Sequence, residues 1–151
     1  MNNFSILASA IILLIAAYLM IRENRRGKRL YELAKVNKED IQNEQMRNYN
    51  FLSGMRSDSY FPDFLVDKCE NILIDLCIKI ENEHPKNLRQ LYKLTHASTR
   101  LINSLEDEFY ANDSEIETAA REVIAMDFDA IAQAYNFKDA DIETLIATRS
   151  W

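Results

Sequence analysis

The first hydrophobic pattern along the chain is an unbroken one. Phe4 to Ile21, FSILASAIILLIAAYLMI, carries no charge, and its only polar residues besides Tyr18 are Ser5 and Ser9. As a helix it spans about 27 Å at ~1.5 Å per residue, close to the ~30 Å hydrocarbon core of a bilayer. An amphipathic core helix shows a polar face, and this run shows none. A cleaved signal peptide fits poorly, because Met1-Asn2-Asn3 carries no base, the small residues lie inside the run, and its exit is Arg-rich. The pattern therefore predicts a single transmembrane helix over 4–21. A juxtamembrane segment closes this first region at residue 29. Its cations Arg22, Arg25, Arg26, Lys28 and Arg29 stand against Glu23 alone. Lys and Arg beside a span stay on the cytoplasmic side, which predicts a single-pass protein of the inner membrane, N-terminus out and the remainder in the cytosol. The same cations are expected to meet anionic headgroups of the lipid bilayer, at about 1 kcal/mol each near the surface.

Beyond residue 29 the apolar pattern thins. Leu30, Tyr31, Leu33, Ala34 and Val36 can prolong the first helix, but Asn37-Lys38-Glu39-Asp40 is polar, and Ile41, Met46, Tyr49, Phe51 and Leu52 form only a sparse stripe. Residues 30–57 read as a spacer, either a short amphipathic helix or a partly ordered tether ending at Ser53-Gly54. The packed domain is expected over 58–151. Ser59 or Asp58 can cap its first helix, with Pro62 in the first turn, where a missing N–H is harmless. Phe61, Phe64, Leu65, Cys69, Ile72, Leu73, Leu76 and Ile80 recur at three-and-four spacing on one face. Pro85 ends that helix by pushing His84 out of helical geometry. A second helix is predicted from Asn87 to Tyr110, with Leu88, Leu91, Tyr92, Thr95, Ile102, Leu105 and Phe109 inward, and Asn112-Asp113-Ser114 breaks it. Ser114-Glu115-Ile116-Glu117 matches a capping box and opens a third helix, with Ile116, Ala119, Ala120, Val123, Ile124, Ile131 and Tyr135 inward. Asp139 then caps a last short helix carrying Ile142, Leu145 and Ile146, and Trp151 is expected to fold back onto the bundle. The fold class is all-α: one N-terminal transmembrane helix and a bundle of about four helices.

YFPDFLVDK at 60–68, LYKLTHASTRLINSLEDEF at 91–109, SEIETAAREVIAMDFDAIAQAY at 114–135 and DIETLIATRSW at 141–151 resemble an uncharacterised bacterial all-helical domain family of unknown function. The resemblance covers about Tyr49 to Trp151. It implies a soluble helical domain of about a hundred residues, to which the apolar N-terminus is an addition, and it supplies no catalytic residue.

Composition narrows the chemistry. The chain has two glycines, Gly27 and Gly54, and two prolines, Pro62 and Pro85. That leaves no phosphate-cradling Gly loop, no dinucleotide fingerprint and no nucleophile elbow, and no cofactor is expected. Overall the chain holds 18 basic and 24 acidic residues. Residues 30–151 hold 13 of the basic and 23 of the acidic ones, a net of −10. Such a domain repels phosphate backbones, so nucleic acid is not an expected partner, whereas a basic protein surface is. Cys69 and Cys77, eight residues apart on one helix, lie about 12 Å from each other, too far for a disulfide. They read as small apolar core residues in a reducing compartment.

Candidate chemistry centres on His96, in the middle of the second helix with Arg100 one turn on. A histidine at the inner edge of an acidic bundle can serve as a general base or a metal ligand, though a hydrogen-bonded structural role is commoner. Glu117 and Arg121 are spaced for an ion pair, and Asp127 and Asp129 flank Phe128. His96 or Arg121 pointing inward with Glu117 or Asp127 would make a buried polar network. Glu81-Asn82-Glu83-His84 holds a Glu-x-x-His spacing, but only one copy and at a helix end, so no metal site is predicted. Glu106, Asp107 and Glu108, with Glu115 and Glu117, form a carboxylate-rich corner suited to a cation or a basic partner. Two functions follow. The first is a membrane-anchored helical protein-interaction module without enzymatic activity, of the immunity or adaptor type. The alternative is an enzyme or metal-binding domain centred on His96 with carboxylates of the third domain helix. Convergence of His96, Glu117 and Asp127 in an open pocket would favour the alternative.

Overall fold

The computed structural model describes the backbone of residues 3–33 and 36–151, and the side chains of 11–25, 27, 28, 33 and 36–151. The described residues are helical or irregular, with no strand among them. The chain divides into two compact units, 1–32 and 33–151.

The first unit is built on α1, Asn3–Leu33. Ile11, Ile12, Leu13, Leu14, Ile15, Tyr18, Leu19, Met20 and Ile21 are exposed along it. A span needs about 20 consecutive apolar residues. Among the described residues no helix is long and apolar enough to cross a membrane. The side chains described in α1 are apolar over 11–21 and turn charged at Arg22. The transmembrane helix expected over 4–21 is thus not supported by the structure, and its side chains at 4–10 lie outside the described residues. Of the juxtamembrane cations, Arg22, Arg25 and Lys28 are exposed; the side chains of Arg26 and Arg29 lie outside the described residues.

The second unit contains a 3-10 turn at Lys38–Asp40 and the helices α2 (Glu44–Arg47), α3 (Ser53–Arg56), α4 (Asp63–Glu83), α5 (Leu88–Asn103), α6 (Glu106–Tyr110), α7 (Thr118–Ala134) and α8 (Ile142–Leu145). Helix α4 packs on α5, α3 and α7; α7 also meets α2, α3 and α8, and α8 meets α5. From Ile72 to Cys77 every residue of α4 is buried, so this helix is the centre of the core. Its N-cap is Pro62 itself, and Asp58 instead accepts from the Tyr60 amide at 2.9 Å. Its end is as the proline predicts: His84 adopts φ 47° and its N–H reaches Ile80 O at 3.0 Å. Phe64, expected inward, is 48% exposed.

From Ile41 on, the segment expected as a spacer contributes to the core, while the side chains of 30–32, 34 and 35 lie outside the described residues. Ile41, Met46, Phe51, Leu52 and Met55 are fully buried. No regular period links these positions, because two single-turn helices and a left-handed residue, Leu52 at φ 55°, turn each one inward separately. Asn43 caps α2, its Oδ1 accepting from Met46 N at 3.1 Å. Gly54 is required by a close approach: a Cβ there would fall 2.7 Å from Val123 Cγ2 of α7. Gly54→Ala is expected to destabilise the domain by about 1–3 kcal/mol through overpacking. Combining it with Val123→Ala should be less damaging than the sum of the single changes, as measured by urea midpoints around the double-mutant cycle. Additive losses would show that the contact does not matter.

Three further boundaries differ from expectation. The second domain helix stops at Asn103, where Ser104 Oγ turns onto Leu101 O at 2.6 Å and Leu105 N closes a tight turn on Ile102 O at 2.8 Å. Helix α6 then begins afresh, and its first turn is Glu106-Asp107-Glu108. The capping box does not form: residues 114–117 are not helical, Glu117 is the N-cap of α7, and no side chain caps it. Ala119, expected inward, is exposed. The last helix is capped by Asp141 rather than Asp139, its Oδ1 accepting from Thr144 N at 2.8 Å. Cys69 and Cys77 are free and buried, and burial pushes both thiols up to about 12.

Candidate functional site

His96 faces the C-terminal segment. Its Nε2–H donates to Thr144 O at 2.7 Å, its ring lies parallel to Tyr92 with centroids 6.1 Å apart, and its own carbonyl accepts from Thr148 Oγ1 at 3.1 Å. Asn103 Nδ2 reaches Thr148 O at 2.8 Å, which continues the same seam. That bond places the ring proton on Nε2 and so fixes the tautomer, leaving the lone pair of the neutral ring on Nδ1.

Asp127 belongs to another seam. It is 4% exposed; Oδ2 accepts from Leu52 N at 2.7 Å and Oδ1 from Tyr49 OH at 2.9 Å. Burial raises its pKa above the ordinary aspartate value, opposed by those two donors, and burial with the Asp127 bond pushes Tyr49 up to about 12. Glu117 is exposed at the start of α7, and Arg121 is partly exposed one turn on. Only a backbone bond joins those two, Arg121 N to Glu117 O at 2.8 Å. Among the described residues no side-chain hydrogen bond or ion pair links any two of His96, Glu117, Arg121 and Asp127. Asp129 holds Gln133 Nε2 at 3.3 Å on the surface.

A second carboxylate repeats the work of Asp127. Glu81 accepts from Gln42 N at 2.9 Å, from Asn43 N at 2.8 Å and from Tyr135 OH at 2.6 Å. Burial and the Glu81 bond raise the pKa of Tyr135. Asn43 adds a bond from Nδ2 to Ala134 O at 3.1 Å. One carboxylate on α4 and one on α7 therefore accept from amides of the 41–52 segment, of which that of Leu52 is buried and would otherwise be orphaned. Glu81 has three donors on its two oxygens, and His84 is turned away from the helical register by its positive φ. The Glu-x-x-His spacing is accordingly structural. No group of three His, Cys, Asp or Glu residues suited to a metal ion occurs among the described residues.

The carboxylate-rich corner is where exposed aromatic surface gathers. Glu106, Asp107, Tyr110, Glu115, Ile116 and Trp151 line a cavity of about 380 Å³. Trp151 folds back as expected and is partly buried, and Ser150 Oγ donates to Glu106. Tyr110 is 74% exposed at its rim. Close by, Lys68 pairs with Glu108 and sits 5.7 Å from the centre of the Phe64 ring. The Tyr60 hydroxyl is held above its ordinary pKa by partial desolvation and by the charges of Glu115 and Glu117. The three acids of 106–108 open α6, where the positive end of the helix dipole favours them. Sequence spacing placed them at the C-terminal end of a longer helix, where they are disfavoured, because nothing in the periodicity marks the turn at Ser104.

Residues 45–151 match the pattern of a family of unknown function, DUF5713. The chain belongs to the DUF5713 family. No curated protein and no solved structure matches it. The DUF5713 match starts within α2 and takes in Tyr49, Leu52, Glu81, Asp127, Tyr135 and the whole acidic corner. It thus includes the whole Asp127 seam and the Glu81–Tyr135 side of the other, whose Gln42 and Asn43 lie before the match. Tyr49 and Asn43 were invisible as site residues from spacing alone, since their partners lie about 80 and 90 positions downstream.

Proposed function

We propose that this DUF5713 protein is a helical protein-interaction module whose acidic, aromatic corner docks a basic protein partner. The observation that carries the reading is the exposure of Tyr60, Phe64 and Tyr110 around Glu106, Asp107, Glu108, Glu115 and Glu117. Aromatic residues are enriched in protein interfaces, and a cavity walled by carboxylates and rings suits a Lys or Arg side chain through both charge and cation–π attraction. An immunity- or adaptor-type role agrees with a binding surface of this kind. The enzymatic alternative needs carboxylates of α7 beside His96, and among the described residues no side-chain bond joins His96 to Glu117 or Asp127.

The module is proposed to work at the inner face of the cytoplasmic membrane, held there by the apolar stretch 4–21 and the cations that follow it. The exposed side chains of Ile11 to Ile21 support this placement, since contiguous exposed apolar surface marks a membrane or partner contact. The test uses the full chain, captured from gently solubilised native membranes beside the variant Glu106→Lys/Asp107→Lys/Glu115→Lys and the variant Tyr110→Ala. The expected result is a stoichiometric protein, eluted by salt, that the wild type retains and both variants lose while keeping wild-type circular dichroism. Retention by both variants would overturn the docking surface. Replacing 4–21 with a polar sequence is expected to move the chain from the membrane pellet to the supernatant, and an unchanged pellet fraction would overturn the anchoring.

A further inference from the structure

Two cavities flank the turn between α4 and α5, one of about 300 Å³ on the Tyr135 side and one of about 350 Å³ on the Lys93 side, and both are lined by His84, Pro85 and Lys86. The charge around this turn runs against that of the domain. Residues 30–151 carry a net charge of −10, yet 84–93 hold Lys86, Arg89, Lys93 and His84 with no carboxylate. Among the described residues, five of the domain's cations have found acids: Lys38 and Arg56 with Glu70, Lys68 with Glu108, Lys79 with Asp75, and Arg149 with Glu143. Lys86, Arg89 and Lys93 have no ion-pair partner among the described residues, and what sets them apart from the other unpaired cations is that they are grouped around one turn. Arg89 and Lys93 are one turn apart on the same helix, so they share a face, and all three side chains are exposed.

The acids near the turn do not supply the missing counter-charge. Glu81 lines the first cavity with its oxygens taken by Gln42 N, Asn43 N and Tyr135 OH. Glu83 lines the second cavity beside Lys86, Gln90 and Lys93, leaving a cationic excess on that wall. Gln90 is fixed there by its Oε1, which accepts from Lys86 N at 2.6 Å, so its amide N–H₂ is available as a neutral donor. Clustered cations and a neutral donor at the rim of a cavity call for an anion with several acceptor oxygens, which a phosphate offers and a carboxylate offers less fully. The cavity volumes leave room for an organic remainder beside the phosphate.

We propose that the cavities around His84-Pro85-Lys86 bind a phosphate group, carried either by a small soluble ligand or by a lipid headgroup. The site is separate from the acidic corner, and its test does not depend on that reading. The full chain, ¹⁵N-labelled in phosphatidylcholine nanodiscs, is titrated with inorganic phosphate at constant ionic strength, with chloride as the balancing ion. Amide shifts confined to 84–93 that saturate with phosphate are expected, with binding weakened about tenfold or more in Lys86→Ala/Lys93→Ala and unchanged in Arg100→Ala. The same shifts appearing without added phosphate when phosphatidic acid enters the nanodisc would assign the group to a lipid; their absence there would assign it to a soluble ligand. Equal shifts with chloride alone, or shifts that persist in Lys86→Ala/Lys93→Ala, would overturn the site. Unchanged amide positions in α7 certify that the variant is folded.

Discussion

Phe51→Ala is expected to destabilise the domain by about 3–5 kcal/mol, the range for truncating a buried aromatic side chain. Phe51 is fully buried, packs edge-on against Tyr49 at 5.0 Å and lies 5.3 Å beneath the Lys38 ammonium. Removing the ring leaves a cavity in a segment whose Leu52 and Met55 are fully buried as well. It also deprives Lys38 of the aromatic face it covers while its Nζ bonds Tyr49 O. The chain has a single tryptophan, Trp151, packed on the acidic corner, so its fluorescence reports on the domain's unfolding in urea. A loss below about 0.5 kcal/mol, the range of surface substitutions, would mean that 41–57 is a tether after all.

Asp127→Ala should lower stability by about 2–4 kcal/mol. The alanine leaves the Leu52 amide and the Tyr49 hydroxyl without acceptors inside the protein, and an unsatisfied buried polar group costs about 1–3 kcal/mol. It also frees Leu52 from the bond that offsets its left-handed backbone, an unfavourable conformation for a residue with a branched side chain. Asp127→Asn keeps one acceptor oxygen and should lose less. The pH dependence separates the two roles of the carboxyl. Its folded pKa lies above the ordinary aspartate value, so the folded state binds the proton more tightly than the unfolded one. The stability it adds is fully present below the ordinary value, about 3.9, and is lost as pH rises through the raised folded value. The advantage of the wild type over Asp127→Asn should therefore grow on acidification, seen in paired urea titrations at successive pH values. An advantage that shrinks over that window would mean that the donors outweigh burial at this site.

Both substitutions probe the part of the fold that patterning did not disclose. The long helices were legible because their apolar residues recur at three-and-four spacing over many turns, and Leu65, Cys69, Ile72, Leu73, Leu76 and Ile80 are buried as that spacing requires. The stop at His84 was legible because proline restricts the residue before it. Residues 41–57 were not, since single-turn helices present too few positions for a period to register. The capping box at Ser114 failed for a related reason. The local hydrogen bonds it offers compete with burying Ile116, which is 6% exposed, and Asp113 takes a left-handed turn that carries 114–117 out of helical geometry. The four residues singled out for chemistry were each placed on a plausible face, but spacing says nothing of what lies opposite. His96 meets Thr144, Asp127 meets Leu52 and Tyr49, and Glu117 and Arg121 lie toward solvent.

The sequence by itself determined the helical class, the acidic balance of the domain, the apolar character of 4–21 and the absence of the common nucleotide and nucleophile motifs. These depend on composition and on local periodicity, which every residue carries with it. Only the tertiary structure decided that Ile41, Met46, Phe51, Leu52 and Met55 belong to the core, that Glu81 and Asp127 satisfy amides of their segment, and that three carboxylates begin a helix instead of ending one. The first two depend on partners about 40 to 80 residues away, and the third on a local turn at Ser104 that leaves no mark in the apolar period; buried polar groups are indifferent to chain distance so long as a donor meets an acceptor.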